Sequence, residues 1–320
     1  MDGQIPLSAL DPRRLFLLVE LSRLGSMAEV AAEHALTTST VSQQLAHLAR
    51  DLRTPLLEPQ GRRVRLTPAG TRLVGRAIEL LAVAEAARSD LDPHAEPTGT
   101  VRAGGFASGV RRALVPAAAV LADRFSDLRV ALSEHEPAEA LAWLQDDDLD
   151  LALVYDYDLA PLALPPAIRA TRLWTNAWGL AVPLDDDINR SEASPEEVLR
   201  SWSRRPWIVN SRNTADEEAM RTLARLYDVS PTVRHRIDSL ELLEDLVLAG
   251  LGVGLLPLEA PHDPAIRVLP LPAPGVAQTA YVATRRGRES WAPVAALLEV
   301  LTAPASPASH SAAQTSESER

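Results

Sequence analysis

The sequence predicts an α/β protein that opens with a winged helix-turn-helix, on three observations. Two short helical segments meet in a tight turn near residue 36, and an arginine-rich hairpin follows them. A long helix with an apolar stripe comes next. Beyond residue 99, strand-like and helix-like segments alternate, which is the pattern of an open α/β sheet.

The first helix, residues 11–24, sets Leu15, Leu17, Leu18, Leu21 and Leu24 at helical spacing behind Asp11 as N-cap and Pro12 at the first position. Gly25 stops it. Ser26 caps a second helix, residues 27–34, whose Ala28, Ala31 and Ala32 allow close packing. Thr37 caps a third, which runs through Val41, Leu45 and Leu48 to about residue 53. Pro55 ends it, and residues 56–66 read as a hairpin turning at Gln60-Gly61. Thr67-Pro68 starts the long helix to about residue 90, with Leu73, Ile78, Leu80, Leu81 and Val83 as its stripe. A stripe with nothing of its own domain left to cover predicts packing on a partner helix, hence a homodimer. Residues 92–99, with two prolines, form a hinge.

Strands are then expected at residues 100–103, 128–132 and 149–155, with helices at 109–124 and 138–144 between them. A second unit places strands at 169–174, 178–182 and 207–210, helices at 195–201, 215–228 and 240–249, further strands at 251–256 and 280–283, and a last helix at 293–301. The Ala-, Ser- and Pro-rich residues 303–320 read as a disordered tail.

Composition narrows the chemistry. All 32 basic residues among the 320 are arginine, so lysine Schiff bases and the Walker A lysine are excluded. Cysteine is absent, which removes disulfides, thiolate nucleophiles and Cys-ligated metals. The N-terminus has no basic or apolar signal region, and no run of 18 apolar residues occurs, so a cytoplasmic protein without a membrane span is expected. The formal charge of −11 argues against nucleic acid until it is resolved by segment: residues 1–90 carry +1 and residues 91–320 carry −12. Within residues 41–76, seven arginines face only Asp51 and Glu58, a net +5. A small basic module is joined to an acidic one.

Several motifs fail on inspection. Gly250-Leu251-Gly252-Val253-Gly254 follows a helix and precedes Pro257, the reverse of a dinucleotide loop, so it reads as a helix C-cap and turn. Asp146-Asp147-Asp148, Asp150 and Asp185 to Asp187 lack the calcium-loop pattern and read as solvated turns. The seven histidines form no HExxH, and no serine sits in a Gly-x-Ser-x-Gly elbow. No catalytic residue, metal site or cofactor is therefore expected. Trp174 and Trp178 are core residues that can also line a pocket wall.

Residues 10–76, above all Leu15-Phe16, Gly25-Ser26, Ala31-Ala32, Val41-Ser42-Gln43-Gln44-Leu45, Pro55-Leu56-Leu57 and Gly61 to Gly70, closely resemble the N-terminal domain of LysR-type transcriptional regulators. Asp150-Leu151-Ala152-Leu153-Val154 and Val247 to Pro257 resemble the family's effector domain. The resemblance implies a DNA-binding domain over residues 1–66, a dimerisation helix over 67–91, the hinge, and a periplasmic-binding-protein-like effector domain over 100–302. Lobe I would take about 100–163 and 268–302, lobe II about 164–267, with crossovers near 161–166 and 266–270. It further implies a dimer or tetramer on double-stranded promoter DNA, controlled by a small molecule between the lobes. A departure stands at the recognition helix, which opens Thr37-Thr38-Ser39-Thr40-Val41-Ser42 instead of Ser-Gln-Pro-Ala-Leu-Ser. A hydroxyl at Thr38 cannot pair bidentately with adenine as glutamine can.

The expected DNA face comprises Thr38, Ser39, Ser42 and Gln43 on the recognition helix, with Ser26, Thr37, Arg50 and Arg53 beside them and Arg62, Arg63 and Arg65 on the wing. Strand alternation sends Arg62 and Arg63 to opposite faces, so one of them reaches phosphate or minor groove. The resemblance places effector contacts at Ala107-Ser108-Gly109, Asn210-Ser211 and Ile237-Asp238-Ser239. A helix N-terminus with Ser108 suits a carboxylate. For Ser108 and Ser239 a plain N-cap is the alternative reading. A rival for the whole chain is a small-molecule binding protein without DNA function, against which residues 10–76 argue.

Overall fold

The computed structural model describes residues 6–60, 63–91, 96–186 and 194–303. The expectations for Gly61, Arg62, Asp187, residues 92–95 of the hinge and the tail from residue 304 fall outside the described residues, as does the side chain of Arg63.

The N-terminal domain forms as its local signals dictate. Helix α1 (Pro12–Leu24) starts at Asp11, whose carboxylate accepts the Arg13 N–H at 2.8 Å, and ends at Gly25 with φ 72°. Helix α2 (Met27–Glu33) is capped by Ser26, and helix α3 (Thr38–Asp51) by Thr37. Leu15, Leu18, Val30, Val41, Leu45 and Leu48 are all but fully buried and make one core. Arg14 ties α1 to α3 through Gln44 at 3.2 Å and Asp51 at 2.5 Å.

Strands β1 (Leu57–Gln60) and β2 (Arg63–Leu66) pair antiparallel and form the wing. Thr67 then closes it: its hydroxyl donates to the Pro55 carbonyl at 2.8 Å and accepts the Gly70 N–H at 3.0 Å. A Cβ at Gly70 would lie 2.3 Å from the Leu56 carbonyl oxygen, which is why the run after the wing needs glycine there. Helix α4 (Pro68–Leu91) corrects one expectation. Its own domain does cover part of the apolar stripe, because Val74, Ala77 and Ile78 are buried in the N-terminal core and Leu73 and Leu81 pack at its edge. Leu80 and Val83 are left exposed, at 47% and 61%.

The C-terminal domain is built on a seven-stranded mixed sheet of order β10-β6-β11-β5-β3-β4, with β9 also pairing β6. Strands β3 (Gly99–Gly105), β4 (Leu128–Glu134) and β5 (Leu151–Tyr157) are parallel and nearly as expected. A first helix begins one residue after β3 as a short α turn, α5 (Ala107–Gly109), passes through a π turn (Val110–Leu114), and continues as α6 (Val115–Arg124). Helix α7 (Pro137–Gln145) lies between β4 and β5.

The two strands expected over residues 169–182 are one 16-residue strand, β6 (Ile168–Pro183). It pairs with β11 (Val276–Arg285) in the first lobe and with β9 (Gly254–Pro257) and β10 (Ile266–Pro270) in the second, so the strand itself is the crossover. Residues 161–166 precede it, and Ile266–Pro270 is a strand of the second lobe, so neither expected crossover lies where it was placed. The second lobe adds α8 (Pro195–Trp202), β7 (Pro206–Val209), α9 (Ala215–Leu226), β8 (Thr232–Arg236) and α10 (Leu240–Leu248), with β7 and β8 pairing parallel. Gly250, φ 68°, turns the chain from α10 toward β9, as a C-terminal cap does. Helix α11 (Ala292–Thr302) closes the first lobe. No helix of the described residues is long and apolar enough to cross a membrane.

Candidate functional site

Two surfaces collect the expected residues. On α3, Thr38, Ser39, Ser42 and Gln43 are exposed on one side while Val41, Leu45 and Leu48 are buried on the other, so helical spacing alone turns the polar set outward. The Thr37 hydroxyl is already engaged, accepting the Thr40 N–H at 3.1 Å and bonding the hydroxyls of Ser39 and Thr40 at 2.8 and 2.7 Å. Ser26 likewise spends its hydroxyl on Ala28 and Glu29. Arg50 and Arg53 are exposed at the far end of the helix. Arg65 sits opposite Glu58 in the wing and pairs with it at 2.6 Å.

The second surface is a cleft between the lobes, with two adjoining chambers of about 380 and 730 Å³. Of the residues expected to contact an effector, Ala107, Ser108, Asn210, Ile237, Asp238 and Ser239 line the smaller one. Gly109 and Ser211 do not. A Cβ at Gly109 would lie 2.6 Å from the Phe106 ring, so that glycine makes room for the ring. Ser239 is an N-cap, accepting the Leu242 N–H at 3.2 Å, whereas Ser108 lies inside the first turn and caps nothing.

Of the floor residues only Trp178 is singled out by the sequence; no motif announces Phe106, Tyr155 or Tyr157. Phe106, Tyr155, Tyr157 and Trp178 form a chain of edge-to-face rings with centroids 4.8, 5.8 and 5.5 Å apart. Tyr155 donates its hydroxyl proton to Glu136 at 2.7 Å and accepts from Asn213 of the other lobe at 2.9 Å. Burial pushes the Glu136 carboxyl up; the Tyr155 bond opposes this and the Asp238 charge across the cleft adds to it. Asp216, at the start of α9, accepts the Asn210 and Glu217 N–H groups at 2.8 and 2.7 Å, yet burial raises it to about 6. The local signals were weak: Glu136-Pro137 reads as a helix start, and Tyr155 and Tyr157 as inward positions of a strand.

Ion pairs bridge the lobes around this floor. Arg111 of the π turn bonds Glu241 of α10 at 2.6 Å and holds that carboxyl down to about 2. Arg212 of the second lobe bonds Glu134 at 3.3 Å and Glu139 of the first lobe, together with its own neighbour Asp238 at 2.9 Å. In the larger chamber the Arg112 guanidinium lies 4.5 Å from the centre of the Trp174 ring. Among the described residues, no group of three His, Cys, Asp or Glu could hold a metal.

A third feature joins the domains. A cavity of about 590 Å³ lies between Phe16, Glu20 and Arg23 of α1 and Arg102, Asp150, Arg288 and Trp291 of the first lobe. Asp150, 1% exposed, accepts from Arg102 N, Nε and Nη2 at 2.9, 3.0 and 2.9 Å and from Arg288 Nε and Nη2 at 3.0 and 2.5 Å.

A winged helix-turn-helix joined by a long helix to a two-lobed ligand cleft defines a DNA-binding transcriptional regulator of the effector-controlled kind. Residues 12–71 match the bacterial regulatory helix-turn-helix protein of the lysR family, and residues 94–305 match the LysR substrate binding domain. The chain belongs to the LysR family. It is 27% identical over 252 residues to a "Probable hydrogen peroxide-inducible genes activator" of Streptomyces viridosporus, covering 77% of this chain and 78% of that one. It is 23% identical to the "Transcriptional dual regulator GltC" of Bacillus subtilis, covering 87% and 91%. A full-length OxyR variant from Pseudomonas aeruginosa superposes with a TM-score of 0.71 at 18% identity, covering 92% and 99%, a likeness of fold.

Proposed function

We propose that α3 enters the major groove with Ser42 and Gln43 toward the bases, that Thr38 and Ser39 meet the groove edge, and that Arg50, Arg53 and the wing arginines meet phosphate. The observation that carries this reading is the division of α3 into one buried apolar side and one exposed polar side beside an arginine-rich wing. Ser26 and Thr37 act as caps that set the N-termini of α2 and α3 toward phosphate. The rival reading, a binding protein without DNA function, leaves this exposed face unexplained. The protein's own upstream intergenic DNA is the first substrate to test. Affinity is expected to fall steeply with salt, and Arg50→Ala to lower the slope of log affinity against log salt by about 1. An affinity indifferent to salt and sequence would refute the reading.

The protein works as a homodimer through α4, assembled further into a tetramer, because Leu80 and Val83 expose apolar area that α4's own domain does not cover. Leu80→Glu with Val83→Glu is expected to reduce the mass measured by light scattering from that of four 34.6 kDa chains to that of two or fewer. An unchanged mass would place the dimer contact elsewhere.

The effector binds in the cleft between the lobes, against Ser108, Asn210 and Asp238, and shifts the balance of the lobe-bridging ion pairs. The peroxide named for one relative is not available here as a thiol-based signal, since the chain has no cysteine to oxidise. A carboxylate effector finds little support either. The first turns of α7, α9 and α10 already carry Glu139, then Asp216 with Glu217, then Glu241, so the chain's own acids occupy those helix N-termini.

A further inference from the structure

We propose that the effector is a small organic cation, an ammonium or guanidinium whose N–H groups bridge Glu136 of the first lobe and Asp238 of the second over the ring floor of the smaller chamber. This rests on the cleft being the effector site and adds the charge of its occupant.

Charge carries the first step. Glu134, Glu136, Asp216, Asp238 and Glu241 line the chamber against the single cation Arg111, which Glu241 already engages. Arg212 sits at the edge and satisfies Glu139, Glu134 and one oxygen of Asp238. Glu136, 6% exposed, has no arginine hydrogen-bonded to it among the described residues; the neutral side chains of Tyr155 and Asn213 bond it, and Arg212 reaches it only through its charge. A buried carboxylate without a counter-ion is costly, and an anionic ligand would raise that cost.

Unpartnered atoms carry the second. Asp238 lines this chamber, and its Oδ1 is a buried acceptor without a hydrogen-bond partner among the described residues. Trp178, 7% exposed, lines it as well, and its Nε1 is a buried donor without a partner. A ligand with a cationic donor for Asp238 and an acceptor oxygen or nitrogen for Trp178 would satisfy both.

Aromatic surface carries the third. Phe106, Tyr155, Tyr157 and Trp178 give the chamber a floor of rings, and cations are drawn to the faces of such rings. The protein already uses this attraction next door, where Arg112 stacks on Trp174 at 4.5 Å. Joining Glu136 to Asp238 would turn a repulsion between the lobes into an attraction, so occupancy favours closure.

The test is calorimetric titration of the full chain with matched probes: phenethylamine and 1,5-diaminopentane as cations, 3-phenylpropionate and glutarate as anions, 3-phenylpropanol as a neutral control. A cation is expected to bind and the anions not. Glu136→Gln, which keeps an acceptor for Tyr155, and Asp238→Asn are each expected to weaken the cation roughly 10- to 150-fold, the loss of one hydrogen bond to a charged group. Ser108→Trp, which fills the chamber, is expected to block binding altogether. If anions bind and Ser108→Trp blocks them, the cleft is the effector site and the assigned charge is wrong. If a probe binds and Ser108→Trp does not block it, the cleft reading itself fails. No binding by either amine, or cation binding indifferent to both carboxyl substitutions, overturns the proposal.

Discussion

Replacing Asp150 with alanine is expected to destabilise the effector domain by about 3–5 kcal/mol, because removing one member of a buried ionic group strands the others. Five N–H groups from Arg102 and Arg288 converge on this one carboxylate, and alanine would leave both guanidinium groups without it. For a domain of this size that corresponds to a midpoint lowered by roughly 6–20 °C. The pH dependence has a definite sign. Burial pushes the Asp150 carboxyl up, but the Arg102 hydrogen bonds and the Arg288 charge outweigh it and hold the folded value below the ordinary one. The contribution is therefore complete above the unfolded value of about 3.9 and is lost as pH falls through the folded value. Calorimetry across the acid range checks this: the parent chain should lose stability there that Asp150→Ala has already lost. Equal midpoints at neutral pH would show that the arginines find other partners.

Asp150 also marks how unevenly the sequence can be read. Helices α1 to α4 were legible because their signals are local: a cap, an apolar period and a stop each lie within a few residues, and Asp11, Gly25, Ser26 and Thr37 stand where those signals put them. Asp150 read as part of an acidic turn, and only the fold brings Arg102, 48 residues away, and Arg288, 138 residues away, onto it. Strand β6 was split in two because its alternation breaks where it passes from one lobe to the other around Asn176. A strand paired on both sides in two lobes does not keep one buried face along its length.

The cleft was legible at its rim and illegible at its floor for the same reason. Ser108, Asn210 and Asp238 sit next to helix starts, which a sequence reveals, and one helix start alone suggested an anion. The opposite charge follows only when Glu136 of α7, Asp216 of α9 and Asp238 before α10 are brought to one chamber. Each is unremarkable in its own segment, being an acid in or before a first helical turn.

Gln43→Ala is expected to weaken operator binding by about 1–3 kcal/mol, roughly 5- to 150-fold, while leaving its salt dependence unchanged. Thr37 has its hydroxyl committed to the cap, and Ser39 and Thr40 are bonded to that same hydroxyl. Gln44 is turned inward to Arg14 at 3.2 Å. Among the exposed polar residues in the middle of the helix, Gln43 alone carries an amide, whose separate N–H and C=O are the pair that reads adenine bidentately. Because the side chain is neutral, no counterion is released on its account, and the slope against salt should match the parent. The loss should also be concentrated at one base pair of each half-site, so that a sequence altered there binds the variant and the parent about equally. Measured affinities on the parent operator and on single-base variants decide it. A loss spread evenly over all sequences, or a changed salt slope, would place Gln43 on the phosphate backbone and pass base reading to Ser42 and Thr38.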